Sequence, residues 1–154
     1  MTSKDRTVEN IIECSKNVKL PIWLSISCAI NEDENILMHG YQESITNSKA
    51  KFYDTLENSL SKFSKMHEGP ILVAHSDIKV TGEAVKILKK VHKGIVGAYP
   101  NNGYFEKPHW KLINDISPSK YLEEAKNWVS NGAQIIGGCC GVGPDKISAI
   151  SVLK

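Results

Sequence analysis

Hydrophobic and polar positions along this chain alternate between two periods, and the order in which the periods change predicts most of the architecture. Residues 4–17 carry Val8, Ile11 and Ile12 on one helical face. Leu20–Cys28, LPIWLSISC, is apolar and partly alternating, with Pro21 near its start, and reads as a strand. Asn31–Asn47 is polar and irregular and reads as a long loop. Phe52, Leu56, Leu60 and Phe63 then recur at helical spacing, which predicts an amphipathic helix over Ser48–His67, stopped by Gly69–Pro70. Ile71–His75, ILVAH, is a short buried strand. A helix follows with Thr81 as its N-cap and Ala84, Val85, Leu88 and Val91 inward, ending at Gly94. Ile95–Tyr99 reads as a third strand and PNNGYFEKPHW as the loop after it. Ser117–Pro118 opens a helix that turns Tyr121, Leu122, Ala125, Trp128 and Val129 inward and ends at Asn131–Gly132. Ala133–Ile136 is a fourth strand, and Pro144–Val152 a closing helix.

Four strands alternating with helices imply an α/β fold with a parallel sheet covered by helices. The chemically unusual residues fall after the carboxyl ends of those strands: Ser27 and Cys28, His75 and Ser76, Tyr99 to Asn102, and Cys139 and Cys140. That is the face on which a (β/α) barrel carries its chemistry. Four βα units make half of an eight-stranded barrel, which usually needs ~250 residues. An open half leaves two strand edges unpaired and one sheet face uncovered.

The stretch Ala133–Gly143, AQIIGGCCGVG, is the most specific in the chain. Glycines flanking Cys139 and Cys140 allow backbone conformations closed to other residues, so adjacent thiols on a strand-to-helix turn can face one point. Two thiolates converging at a strand end are a partial ligand set for zinc. The plainer alternative is a pair of packed, inert cysteines. Composition narrows the setting. With 41% hydrophobic and 23% charged residues and a net charge of +2 in 154 residues, the chain reads as one ordinary globular domain, residues 1–154. Nothing in that charge suggests nucleic acid or an acidic membrane as partner. Its apolar runs fall short of the ~20 residues of a membrane span, and MTSKDRTVEN is too polar for a secretory signal. Four unevenly spaced cysteines do not make a disulfide scaffold, so a reducing, cytoplasmic setting is expected.

IIGGCCGVGP at Ile135–Pro144, preceded by a helix ending W-V-x-x-G-A, resembles the C-terminal signature of the zinc-dependent homocysteine S-methyltransferases. PIWLSISC at Pro21–Cys28 resembles that family's fifth barrel strand, and YPNNG at Tyr99–Gly103 its seventh-strand Y-P-N-S-G. The resemblance covers about residues 20–153. It implies the C-terminal half of a TIM-type barrel, bound zinc (Zn2+), and transfer of a methyl group from a small donor to the thiol of homocysteine, giving methionine. In the family three cysteines hold the zinc, the vicinal pair and one after the sixth strand. Here the sixth strand ends ILVAHSD rather than G-V-N-C, which puts His75 at the third position. The expected ligands are therefore Cys139, Cys140 and His75, a Cys₂His set; the alternative for His75 is a strand-end histidine bonded to a backbone carbonyl. Cys28 matches no ligand position. Asn101, Asn102 and Gly103 are expected to meet the amino-acid part of the substrate. Tyr104 stands where the family has a glutamate, with Glu106 close by as a solvated loop carboxylate. Ser25 and Ser27 are candidates to line the barrel interior. The family's first four barrel strands have no counterpart in this sequence. A fragment, or a half that pairs with an N-terminal half-barrel chain or with itself, is expected, the runner-up being a non-catalytic partner subunit.

Overall fold

The computed structural model of the chain describes residues 5–31, 36–40, 54–106, 109–111 and 116–153. Its first half contains α1 (Asp5–Ser15), β1 (Leu24–Ile26), β2 (Cys28–Asn31), β3 (Ile36–His39), α2 (Leu56–Met66), β4 (Ile71–Asp77) and α3 (Ile78–Val91). Its second half contains β5 (Val96–Asn101), β6 (Tyr104–Glu106), β7 (His109–Lys111), α4 (Pro118–Ser130), β8 (Ile135–Ile136) and α5 (Pro144–Ile150). β1, β4, β5 and β8 form one four-stranded sheet in that order, all parallel. Each new strand joins the same edge, as right-handed βα units do when they wind in one direction.

The register sorts the side chains into two faces. Leu24, Ile71 and Val96 lie abreast, as do Ile26, Val73, Ala98 and Ile136. Those rows pack with Leu60 and Phe63 of α2, Val85 and Leu88 of α3, and Tyr121, Ala125 and Trp128 of α4 in one core. The row between them, Ser25, Leu72, Gly97 and Ile135, points the other way. Leu72 lies across Gly97, where a Cβ would come within 2.5 Å of it, and Ser25 is exposed. Leu72 and Ile135 stand outside the helix-side core.

Helix boundaries follow local chemistry. Ser117 caps α4 by accepting from Lys120 N–H, with Pro118 at the first helical position, and Gly132 at φ 106° ends it. Thr55 caps α2, so that helix starts later than the expected Ser48; residues 48–53 lie outside the described residues. Asp77, not Thr81, caps α3: its carboxylate accepts from Lys79 N–H, while Thr81 lies inside the helix and donates back to Asp77 O. α3 ends with His92 as its cap, two residues before Gly94. Ile11 and Val129, expected inward, are exposed.

Two expected loops contain hairpins. Within Asn31–Asn47, Ile36–His39 pairs antiparallel with Cys28–Asn31; the polar run between them disguises a short apolar strand. Within PNNGYFEKPHW, β6 pairs antiparallel with β7. Glu106 sits in this second hairpin, and its side chain lies outside the described residues.

β4 carries the one feature that strand alternation cannot supply. Ala74 pairs with Tyr99 but Asp77 pairs with Asn101, so β4 holds one more residue than β5 across that interval. His75 occupies this bulge with φ 48°, the only left-handed non-glycine among the described residues. Strict alternation would aim residue 75 at the helices, with Ile71 and Val73. The bulge turns it to the opposite side. A β-branched side chain in this backbone costs more than glycine does. His75→Gly is therefore expected to leave the urea midpoint unchanged or raise it, whereas His75→Val lowers stability by about 1–2 kcal/mol. Equal midpoints for the two variants would show that residue 75 is not left-handed in solution.

A polar cluster fastens α1 to α2. Asp5 accepts from His39 Nδ1–H at 2.7 Å, from Ser59 Oγ at 2.7 Å and from Lys62 Nζ at 3.0 Å, and Lys62 also reaches Asp54 at 2.7 Å. Burial alone would raise the Asp5 carboxyl, but hydrogen bonds from His39, Ser59 and Lys62 outweigh it and bring it down to about 2. A depressed carboxyl contributes stability above its ordinary value and loses it as pH falls through the folded one. Asp5→Asn is expected to cost on the order of 2 kcal/mol at neutral pH. The difference from wild type should close between about pH 4 and pH 2 in chemical denaturation. A difference that persists at the acid end would mean Asp5 acts through packing alone.

Candidate metal centre

The turn after β8 is laced onto the end of β5 by backbone hydrogen bonds. Gly137 N–H donates to Ala98 O at 2.9 Å, Cys139 N–H to Pro100 O at 2.9 Å, and Asn102 N–H to Cys140 O at 2.8 Å. Two glycines make that path passable for different reasons. A Cβ on Gly138 would sit 2.3 Å from Val142 Cγ1, and Gly141 takes φ 75°. From beneath, the fully buried Tyr121 of α4 donates its hydroxyl to Gly137 O at 2.6 Å. Burial, and secondarily the charge of Cys139, pushes the Tyr121 hydroxyl well above the usual tyrosine range, so it remains a donor.

Sequence positions 75, 139 and 140 meet at this turn. One ligand atom each from His75, Cys139 and Cys140 can be chosen so that all lie within 4.8 Å of one another. The two sulfurs are 3.9 Å apart, close to the ~3.8 Å that bonds of ~2.3 Å impose on two thiolates of tetrahedral zinc. All four cysteines are free thiols. Cys140 is exposed and Cys139 and His75 half-buried, so one side of the cluster is open. Burial and the neighbouring Cys139 both raise the Cys140 thiol above its ordinary value. The Cys140 thiol is thereby biased toward its protonated form until a cation offsets the charge.

The other candidates divide. Asn101 and Asn102 are buried, and both reach the cysteine turn. The Asn101 carboxamide donates from Nδ2 to His75 Nδ1 at 3.0 Å and accepts at Oδ1 from Cys140 N–H at 3.2 Å. Asn102 donates from Nδ2 to Gly141 O at 3.3 Å. Gly103, at φ 107°, turns the chain away beside them. Cys28 stands apart from the cluster. Its N–H and thiol both approach Ser76 Oγ, at 2.9 and 3.5 Å, and burial pushes the thiol up to about 12. Ser76 in turn donates to Ala74 O at 2.9 Å, so it ties the bulge of β4 to β2. Ser25 hydrogen-bonds the Tyr99 hydroxyl on the face away from the helices. Ser27 is buried and its hydroxyl has no partner among the described residues. Sequence reading missed Ser76 as the fastener and Asn101 as the bridge; the buried pairing of Cys28 with Ser76 carries no periodic signal.

The chain is similar to known proteins in sequence and in fold. A family model described as homocysteine S-methyltransferase matches residues 4–153. Homocysteine S-methyltransferase 3 of Zea mays is 28% identical over 152 residues, which cover 93% of this chain and 38% of the maize protein. Homocysteine S-methyltransferase 1 of Saccharomyces cerevisiae is 31% identical over 96 residues, 57% of this chain and 29% of the yeast protein. The metallated form of the homocysteine methyltransferase MmuM from Escherichia coli superposes with a TM-score of 0.66 at 16% identity, covering 99% of this chain and 42% of that one. The shared fold is thus an α/β arrangement with a parallel sheet, and the chain spans less than half the length of each of these relatives. By the match across residues 4–153, the chain belongs to the homocysteine S-methyltransferase family.

Proposed function

We propose that Cys139, Cys140 and His75 hold a zinc ion and that the centre serves methyl transfer to the thiol of homocysteine, giving methionine. The observation that carries this reading is the convergence of the three ligand atoms within 4.8 Å, with a sulfur separation suited to tetrahedral zinc. Two thiolates and one imidazole leave a fourth position, and the open side at Cys140 gives access to it. Held by Cys139, Cys140 and His75, a zinc ion would supply the Lewis acidity that lowers a thiol's ordinary pKa of ~8.5 and so favours the nucleophilic thiolate at neutral pH.

The chain's own residues would do the rest. Tyr121 and the β5 carbonyls hold the cysteine turn rigid, and the bulge presents His75 to it. Asn101, Asn102 and Gly103, which follow β5 beside the cysteine turn, would meet the amino-acid part of the substrate, and the left-handed φ of 107° at Gly103 suits glycine there. The vicinal thiols would need a reducing compartment such as the cytosol to stay available. No helix among the described residues is long and apolar enough to cross a membrane.

We read the sheet as strands five to eight of a (β/α) barrel, with residues 1–154 forming one incomplete unit. Sequential strand order, helices packed on the Ile71–Val73 face and the edge positions of β1 and β8 support this. A further half-barrel, from another chain or a second copy, would cover the Leu72–Ile135 face and add to the substrate pocket. Zinc content by elemental analysis tests the metal reading. Near-stoichiometric zinc is expected in wild type and should be lost in both Cys139→Ser and His75→Ala. Zinc retained by His75→Ala would remove His75 from the ligand set. Absence of zinc from wild type would overturn the centre as proposed.

A further inference from the structure

We infer that Asn101 is the positioning residue of this centre: it bridges His75 and Cys140, and in the metal-free chain it holds the imidazole as the tautomer protonated on Nε2. The bridging half of this inference stands on hydrogen-bond geometry alone. Its consequence for metal loading rests on the zinc reading above.

A backbone N–H can only donate, so the Asn101 atom that meets Cys140 N–H at 3.2 Å must be its carbonyl oxygen. The carboxamide is planar and rigid, so fixing Oδ1 on Cys140 aims the NH₂ group at His75 Nδ1, 3.0 Å away. An NH₂ group also only donates. Nδ1 therefore accepts, and a neutral ring must carry its proton on Nε2. Turning the amide over would set NH₂ against N–H at Cys140. Asn101 is only 9% exposed, so a donor left unmet there forfeits its partner without regaining water.

This arrangement is mismatched to the zinc ion proposed for the site. A metal takes the lone pair of an imidazole nitrogen, and its ligand histidines usually donate their other N–H to an acceptor. In this chain the Nδ1 lone pair is occupied by the Asn101 amide, while Nε2 carries the proton. Ligation through Nε2 requires the proton on Nδ1 and an oxygen facing it, so the amide must turn over and release Cys140 N–H. Ligation through Nδ1 requires the amide to withdraw. Either way Asn101 orders the site while opposing the entry of the metal. A carboxylate at this position has no such conflict, because it accepts from Cys140 N–H and from His75 Nδ1–H together.

The test uses the full chain, reduced and metal-free, with long-range proton–nitrogen NMR of the histidine rings. The His75 signals are assigned by their loss in His75→Gln. Spectra are taken at about pH 8.5, well above the ordinary histidine pKa of ~6.5. Wild type should show Nε2 protonated and Nδ1 as acceptor. Since free imidazole side chains favour that tautomer as well, Asn101→Asp is the deciding variant, and it should reverse the pattern. Competition with a chromophoric chelator should then show Asn101→Asp binding zinc about 10- to 100-fold more tightly than wild type. Wild type protonated on Nδ1, or an Asp variant with the wild-type tautomer, would overturn the assignment. A reversed tautomer with unchanged or weaker zinc affinity would overturn the claim that Asn101 opposes loading. The expected tautomers in a chain that binds no zinc would leave Asn101 as the bridge and refute the metal reading instead. Asn101→Asp is nearly isosteric, and far-UV circular dichroism checks that the fold is kept.

Discussion

Parallel backbone pairing between the end of β5 and the turn after β8 is the constraint from which the rest of the centre follows. The Gly137–Ala98, Cys139–Pro100 and Asn102–Cys140 hydrogen bonds continue the sheet past the point where β8 stops as a strand. They carry two adjacent cysteines across the top of β5 in a fixed orientation. Because successive residues on extended backbone face opposite ways, adjacent thiols converge only where the chain bends. Gly138 and Gly141 supply that bend, one by lacking a Cβ and the other by its left-handed φ. Tyr121 then transmits the rigidity of the helical layer to the turn through a single hydroxyl.

The third member of the candidate metal cluster is brought in by a different device. An added residue in β4 moves His75 from the helix-facing row to the side of Asn101 and the cysteines. Left-handed backbone at a non-glycine residue costs of order 1–3 kcal/mol and persists only where its surroundings over-determine it. Here the surroundings are Ser76, tied to both Ala74 and Cys28, and the Asn101 carboxamide. A left-handed backbone at the histidine of the candidate metal cluster fits the general pattern in which such strain gathers at functional sites.

Much of this was legible in the residues, and the reasons differ by element. Ser117–Pro118 and Asn131–Gly132 bracket α4 by local chemistry alone, and the glycines around Cys139 announce the turn. The four parallel strands follow from apolar runs alternating with helical periodicity. The hairpins did not show, because polar segments separate their short strands from the runs that define the main sheet. Nor did the bulge. ILVAH scans as a plain short strand ending at His75, and one added residue changes the facing of everything after it without altering composition. Motif alignment put His75 at the third ligand position, yet only the register of β4 on β5 explains how a residue of helix-side parity reaches the cysteines. The carboxamide bonds of Asn101 and Asn102 to the cysteine turn are likewise visible only in the structure, since the YPNNG motif by itself points those residues toward substrate.

The central claim, a zinc centre of two thiolates and one imidazole formed by turn and bulge together, is tested most directly by zinc K-edge X-ray absorption on the loaded chain. The account predicts two sulfur scatterers at ~2.3 Å and one imidazole nitrogen at ~2.0–2.1 Å, with a lighter fourth ligand in the absence of substrate. A first shell of nitrogen and oxygen alone, or one with sulfur but no imidazole, would contradict it.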